Sequence, residues 1–431
     1  MIDKIIDFRL SIGLRPFMQL SFMPQLLASD PARTVYSAPF NVSPPSSIEA
    51  WTELVEAFMA HLIERYSYAE VSQWLFCVWN EPDTGPTLFG FADDERFHEF
   101  YRATYRAVKA FGADLRFGSP AMLVSYTQSQ DWLTSFLDAA LDAGCPPDFL
   151  NVHFYDNDFT WESLGEHAPA QPSSSRLNKD QDAFRKTIGQ LRLLLRNRGL
   201  DLPVYLTEWN LTVSHRDLLN DTTFKSCYLA KNLLESYDEL DSFGYWTLTD
   251  FIEELQPSAD MFHGGLGLLT YNGVKKPHYH FFATLRRMGE RLIARGDGYF
   301  VTAGGGGVQV YLYNYEHFSH LFASGERYDM TYLERYAPFT EVGRSDVSLE
   351  LKGLRAGTYR IREHVINTEH GSAFDTWIGM GAPSIDRECV DYIRQASVPQ
   401  MVVSDAVVDG DLTVSAVLEP LEVRLIEVIP R

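Results

Sequence analysis

The 431-residue chain is poor in cysteine, poor in positive charge and without any long apolar run. Its four cysteines, Cys77, Cys145, Cys227 and Cys389, lie far apart with no CxxC spacing. That argues against a disulfide framework and leaves small apolar fillers in a reducing compartment. Lys and Arg number 37 against 58 Asp and Glu, a formal charge of −21. Such a surface repels phosphate backbones, which argues against nucleic acid or an anionic membrane as partner and favours a neutral ligand. No stretch reaches membrane-spanning length, and the first nine residues carry charges throughout, unlike a signal peptide. The expected location is the cytoplasm. The 12 histidines are scattered without HExxH or i, i+4 ligand spacing, so no metal or cofactor is expected. The glycine run 304–307 lacks the following Lys-Ser/Thr of a phosphate loop and reads as a hairpin.

What the chain does have is a pair of glutamates at the ends of two short apolar runs. Trp74–Val78 leads into Trp79-Asn80-Glu81-Pro82, and Pro203–Leu206 leads into Thr207-Glu208-Trp209-Asn210. Both runs read as buried parallel strands. A carboxylate at the C-terminal end of such a strand is poor for folding, and in a barrel of alternating strands and helices it lies on the rim where active sites are built. A lone glutamate there is often only a cap. Two of them, each flanked by Trp and Asn, offer the minimal apparatus for cleaving a glycosidic bond, with apolar walls and hydroxyl-binding amides beside it.

The remaining pattern sets these runs in a parallel barrel. Strand-like segments are expected at Arg15–Ser21, Trp74–Val78, Leu115–Ser119, Phe149–Phe154, Val204–Leu206 and Phe243–Leu248. Between them lie expected helices at Ile48–Tyr66, with Trp51, Leu54, Val55, Phe58, Leu62 and Ile63 on one face, and around Phe97–Val108, Asp131–Ala143, Gln181–Asn197 and Thr222–Leu240. Ser46-Ser47 caps the first of these, and Asp93-Asp94-Glu95 forms an acidic first turn of the second. Strict β/α alternation at this length means a (β/α) barrel. Near residue 295 the pattern changes to alternating strands at 308–313, 347–351, 358–363 and 412–428, an antiparallel β-sandwich. The expected division is therefore a barrel over 1–294 and a sandwich over 295–431. Only six barrel strands are visible, and Met1–Ile12 is already helical, so the barrel reads as lacking its first two strands. Open edges of that kind invite a homo-oligomer that covers them.

Read in order, these residues resemble glycoside hydrolase family 39, on its β-xylosidase branch. The anchors are Arg15–Pro24, Trp79–Pro82, His153-Phe154-Tyr155, Thr207–Asn210, Tyr245-Trp246 with Asp250–Glu254, Phe262–Gly265, His370–Asp375 and Met380–Pro383. The resemblance runs nearly the whole chain. It implies an acid/base after strand four and a nucleophile after strand seven of a complete barrel, which places Glu81 in the first role and Glu208 in the second. Two departures stand out: family members carry roughly two further βα units ahead of the position of Met1, and commonly show Val-Glu where this chain has Met18-Gln19.

On this reading Asn80 donates to the sugar 2-hydroxyl, and His153 or Tyr155 orients Glu208. Trp246 floors the pocket, Glu253 and Glu254 grip hydroxyls of the terminal sugar, and Phe22 and His263 are further pocket candidates. The implied activity is a retaining exo-β-xylosidase acting on a neutral oligosaccharide. The alternatives are a sugar-sensing barrel domain of a transcription regulator, or a truncated inactive homologue.

Overall fold

The computed structural model describes the whole chain except residues 126, 159–175, 253, 255–257, 325–329 and 340–342. Its first helix, α1 (Ile2–Ser11), leads into strand β1 (Phe17–Leu20). Helix α2 (Ile48–Tyr66) follows, capped by the Ser47 hydroxyl, which accepts from Ala50 N at 3.1 Å. Its inward face is Trp51, Val55, Met59 and Leu62. The expected face is thus rotated slightly: Leu54 is exposed and Met59 takes its place inside.

Strand β2 (Leu75–Val78) pairs parallel with β1, and α3 (Asp94–Lys109) returns over it, with Asp93 accepting from Glu95 N at its start. The third strand is interrupted. Arg116–Phe117 pairs with β2, the chain breaks step at Pro120, and Ala121–Leu123 continues alongside the next strand; the two pieces together are β3. Helix α4 (Thr127–Asp142), β4 (Leu150–Tyr155), α5 (Ala183–Asn197), β5 (Val204–Asn210), α6 (Phe224–Glu235) and β6 (Ser242–Tyr245) complete the series.

Every pairing from β1 to β6 is parallel and in chain order, with a bridge from Asn80 to Ala121 joining the two parts of the sheet. The six strands curve enough that Phe17, Phe149 and Tyr205 meet edge to face, with ring centroids 5.1–5.9 Å apart. Among the described residues β1 pairs only with β2 and β6 only with β5, so both keep a free edge. Ahead of β1, Ile2, Ile5 and Phe8 of α1 and Ile12 just past its end are exposed, and only Ile6 of the helix is buried.

Helix α7 (Pro277–Leu285), whose first turn opens on proline, links the barrel to the antiparallel part, which begins at β7 (Arg291–Gly296). Strands β8 (Tyr299–Gly304) and β9 (Gly307–Tyr313) form the hairpin expected of the glycine run, with Gly304 opposite Gly307. Strands β10 (Ser345–Leu351), β11 (Gly357–Ile366), β12 (Gln400–Val408), β13 (Leu412–Leu418) and β14 (Val423–Pro430) follow. They form a six-stranded sheet in the order β7-β8-β9-β14-β11-β12 and a two-stranded sheet β10-β13. Val301, Val310, Leu312, Ile426 and Val428 of the larger sheet pack on Val414, Ala416 and Leu418 of the smaller, which makes a sandwich.

Between β11 and β12 the chain inserts α8 (Ala373–Gly379) and α9 (Arg387–Ala396). Phe374 and Trp377 of α8 pack on Met261 and Phe262 of the barrel rim. The second domain thus buttresses the loops at the mouth of the first.

Candidate active site

The chain turns sharply where β2 ends. Trp79 and Glu81 both adopt left-handed backbone, φ 72° and 40°, an uncommon conformation for side chains this large. The turn sends the Trp79 indole outward into a nest of Phe91 and Phe100, with Nε1 donating to the Phe89 carbonyl at 2.8 Å, and leaves Glu81 over the rim. On β5 the device is a bulge. Register runs Val152–Leu206 and then His153–Glu208 against β4, skipping Thr207, and β6 shows the same slip. Glu208 therefore lies within the strand rather than beyond it, re-aimed by the skipped residue.

The two carboxyls meet over His153. Its Nδ1 shares a hydrogen bond of 2.8 Å with Glu81 Oε1 and lies 3.4 Å from Glu208 Oε2. One ligand-type atom from each of Glu81, His153 and Glu208 falls within 4.8 Å of the others. The Tyr155 hydroxyl donates to Glu208 Oε2 at 2.8 Å. Glu81 and His153 are buried, with side chains 11% and 1% exposed, and Glu208 is 18% exposed.

Burial, with the charge of Glu254 adding to it, pushes Glu81 up to about 8. Burial also raises Glu208, to about 7, against the opposing pull of His153 and of the Tyr155 hydrogen bond. Burial holds His153 below its ordinary value. Of the two carboxyls, Glu81 is raised further and so holds a proton the more tightly. The same three residues are the one group among the described residues spaced to hold a cation. Their donor atoms are already engaged with one another and with Tyr155, an arrangement suited to holding a proton.

The remaining candidates lie around this core. Asn80 is buried, and its Oδ1 accepts from Gln19 Nε2 at 3.2 Å. Glu254 receives His215 Nε2 at 2.9 Å and adds its charge to the field at both Glu81 and Glu208. Trp246 follows the end of β6, half-buried, its backbone N donating to the Trp209 carbonyl at 3.1 Å. Phe22 stacks on Phe89 at 5.7 Å and meets Trp79 edge on. His263 is buried, and its Nδ1 is bonded to the Asp260 carbonyl at 2.8 Å. Glu253 lies outside the described residues.

The flanking tryptophans do not serve as sugar walls. Trp79 and Trp209 are both fully buried, packed behind the rim against Phe and Tyr rings. Two neighbours escaped the sequence reading, His215 and Tyr36, and Gln19 entered it only as a departure from the family pattern. Tyr36 belongs to a small hairpin pairing Thr34–Val35 with Phe40–Asn41, and burial together with Glu254, Glu81 and Glu208 raises its phenol. Gln19 was within reach of the rule that picked out the glutamates, since it too is polar near a strand's C-terminal end. His215 sits in the loop after β5 with no spacing to mark it.

Known proteins share this sequence pattern and fold. The sequence pattern described as "Glycosyl hydrolases family 39" matches residues 1–413. The chain belongs to glycoside hydrolase family 39. A β-xylosidase of Geobacillus stearothermophilus is 31% identical over 434 residues, covering 99% of this chain and 79% of the relative. A β-xylosidase of Caldicellulosiruptor saccharolyticus is 32% identical over 406 residues, covering 92% and 75%. The crystal structure of a monomeric β-xylosidase from Caulobacter crescentus CB15 superposes with a TM-score of 0.85 at 26% identity, covering 100% of this chain and 84% of that one. As a family 39 member the protein is a glycoside hydrolase and acts on carbohydrate. Among the described residues no helix is long and apolar enough to cross a membrane.

Proposed function

We propose that the protein is a retaining exo-β-xylosidase that releases terminal xylose from short neutral xylo-oligosaccharides. The approach of Glu81 and Glu208 carries this reading. Retaining enzymes hold their two carboxyls about 5–5.5 Å apart, whereas inverting enzymes leave ~6.5–9.5 Å for a water, and here the ligand atoms lie within 4.8 Å.

Glu208, lower in pKa and hydrogen-bonded by Tyr155, attacks the anomeric carbon while Glu81 gives its proton to the departing oxygen. The product of this step is a glycosyl ester on Glu208 and a free aglycone hydroxyl. Glu81, now ionised, takes a proton from water as that water attacks the same carbon, so configuration is retained and both carboxyls return to their first state. Asn80, Trp246, Glu253 and Glu254 bind the terminal sugar. A carboxyl pair tuned to split one proton has no use in a pure sugar sensor, which favours the enzyme over a sensing domain.

The exo mode and xylose preference draw on two further points. The hairpin loop reaches the far rim, where Ser37 N donates to the Glu254 carbonyl at 3.4 Å, so segments following β1 and β6 meet across the mouth. Both aligned relatives named above are β-xylosidases. A charge of −21 suits a neutral substrate, and short oligomers suit a cytoplasmic enzyme. The exposed face of α1 is the surface a homo-oligomer would bury, and sedimentation decides it.

The deciding experiment is hydrolysis of an aryl β-xyloside by this chain, with Glu208→Ala as control and product anomer followed by NMR. β-Xylose as first product, absent in the variant, is the expected result. α-Xylose, or turnover that survives the substitution, would overturn the proposal.

A further inference from the structure

Behind the site, and outside its catalytic chemistry, lies a buried ionic network that no step of the mechanism uses. Lys276, fully buried at the start of α7, places Nζ 2.6 Å from Asp221 Oδ1, 2.9 Å from Asp250 Oδ1 and 2.7 Å from the Gly265 carbonyl. Asp250 Oδ1 also accepts from Gly267 N at 2.8 Å, and Asp221 Oδ2 accepts from Gly264 N at 2.7 Å. Asn220 Nδ2 donates to the Gly264 carbonyl at 2.9 Å, and its Oδ1 accepts from Lys225 Nζ at 2.8 Å. Lys225 also donates to Asn210 Oδ1, and Asn210 Nδ2 donates to the Trp246 carbonyl. A continuous path thus joins the strand of Glu208 to Trp246 and to Asp250, the two ends of the stretch that leads toward Glu254.

The path is built for close approach. A Cβ on Gly265 would fall 2.4 Å from Asp250 Oδ1, and one on Gly267 would fall 2.2 Å from the Thr249 carbonyl carbon. Loop 264–267 therefore presses on Thr249–Asp250 only because these positions are glycine. Lys276, Asp221 and the Asp250 carboxylate are fully shielded from solvent, and buried charges of this kind add little to stability over a well-packed apolar replacement. What they do supply is direction: one ammonium, with a fixed set of oxygens, defines where Asp250 must lie.

We propose that Lys276 is a positioning residue that, through Asp250 and Asp221, holds the 246–250 segment against the sugar-binding side of the pocket. The inference rests on the glycoside-hydrolase reading of the Glu81–Glu208 pair. It assigns to this network the affinity for the terminal sugar, while proton transfer stays with the glutamates.

Three variants test it: Lys276→Met, the charge-balanced double variant Lys276→Met/Asp250→Asn, and Lys276→Arg. Active sites are counted by covalent labelling with a 2-deoxy-2-fluoro-β-xyloside, and kinetics on an aryl β-xyloside are normalised to that count. Both variants carrying Lys276→Met should show KM raised about tenfold or more with a smaller change in normalised kcat, and product inhibition by xylose weakened in parallel. The Arg variant should recover most of the loss. A merely structural role would lower the active fraction and leave KM unchanged, and that result in the folded double variant overturns the proposal.

Amide exchange gives a second readout that needs no turnover. Residues 246–252 should lose protection in the double variant while 204–208 keep theirs; equal protection in variant and parent overturns it. Failure of the functional proposal would appear in the unaltered protein as absent xyloside turnover, and the exchange experiment would still decide the role of Lys276.

Discussion

The Tyr155 hydroxyl and the Glu208 carboxylate face each other across β4 and β5, joined by a hydrogen bond of 2.8 Å at a residue pair set by the bulge in β5. The bulge advances Glu208 by one position relative to β4, so that it lies beside His153 and within reach of the phenol two residues on. Tyr155→Phe keeps the ring and removes the donor. A hydrogen bond to a charged group is worth about 1.5–3 kcal/mol. Normalised kcat/KM should therefore fall about ten- to a hundredfold, with the acidic limb of the rate profile moved upward because Glu208 loses a group that favours its ionised form. Steady-state kinetics across pH check both effects.

The pH profile itself follows from the raised pair. On the proposed mechanism turnover needs Glu208 ionised and Glu81 protonated, and burial pushes these groups up to about 7 and about 8. The kcat/KM profile should be a narrow bell centred between those values, reporting the pair rather than either residue alone. Stability runs the other way. Folding lifts Glu81 above its ordinary 4.5, so the folded state binds that proton more tightly than the unfolded chain does. Its contribution is fully present below 4.5 and is lost as pH rises toward 8. Glu81→Gln, which cannot ionise, should raise Tm by a few degrees at pH 8 and by less at pH 5. Thermal unfolding of both proteins at the two pH values measures the difference.

Much of this architecture is legible in the residues. Helix α2 runs over the expected Ile48–Tyr66, and each of the six parallel strands overlaps the apolar run that announces it, β1 and β2 lying inside theirs and β3 to β6 extending beyond theirs, β5 by four residues to Asn210. Local pattern suffices there because burial on two faces demands unbroken apolar strands. The misreadings occur where tertiary packing decides. Leu54 and Met59 lie on adjoining arcs of α2, and only contact with α3 settles which goes inside. Trp79 and Trp209 look like sugar platforms by adjacency to glutamate. The left-handed turn at Trp79 and the strand alternation at Trp209 instead point each away from its neighbour, into the core. The bulge at Thr207 has no signature in sequence, and neither does the meeting of His215 with Glu254, 39 residues apart.

Gln19 shows a further consequence of packing. It accompanies Cys77 across β1 and β2, and its side chain donates to Asn80 Oδ1 at 3.2 Å and to Ser21 Oγ at 3.2 Å. The Asn80 amide is thereby anchored through its oxygen, which turns its Nδ2 to the donor role that the proposed sugar contact requires. Gln19→Ala should free that amide to rotate, lowering kcat more than it raises KM, since contacts to the 2-hydroxyl strengthen in the transition state. A fall of about tenfold is expected. It should vanish on a 2-deoxy substrate, which has no hydroxyl there, so the ratio of rates on parent and 2-deoxy aryl glycosides separates this role from general loosening.

Glu81 can be isolated from Glu208 by choice of leaving group. A dinitrophenolate departs without help, whereas an alkyl or sugar alkoxide needs the proton that the proposed mechanism draws from Glu81. Positioned acid catalysis is worth about 10²–10⁴-fold. Glu81→Ala should lose that factor on xylobiose and far less on the dinitrophenyl xyloside, where the slow step becomes hydrolysis of the glycosyl ester for want of a base. The ester should then accumulate, visible as a burst of dinitrophenolate and as a mass increment on Glu208. Azide, which needs no base to attack, fits the space left by the shortened side chain. It should accelerate turnover and yield the β-glycosyl azide. Glu208→Ala treated in the same way should give no burst and, if azide attacks from the nucleophile's side, the α-azide. Opposite azide anomers from the two variants would assign the two faces of the sugar, and hence the two roles, to Glu81 and Glu208.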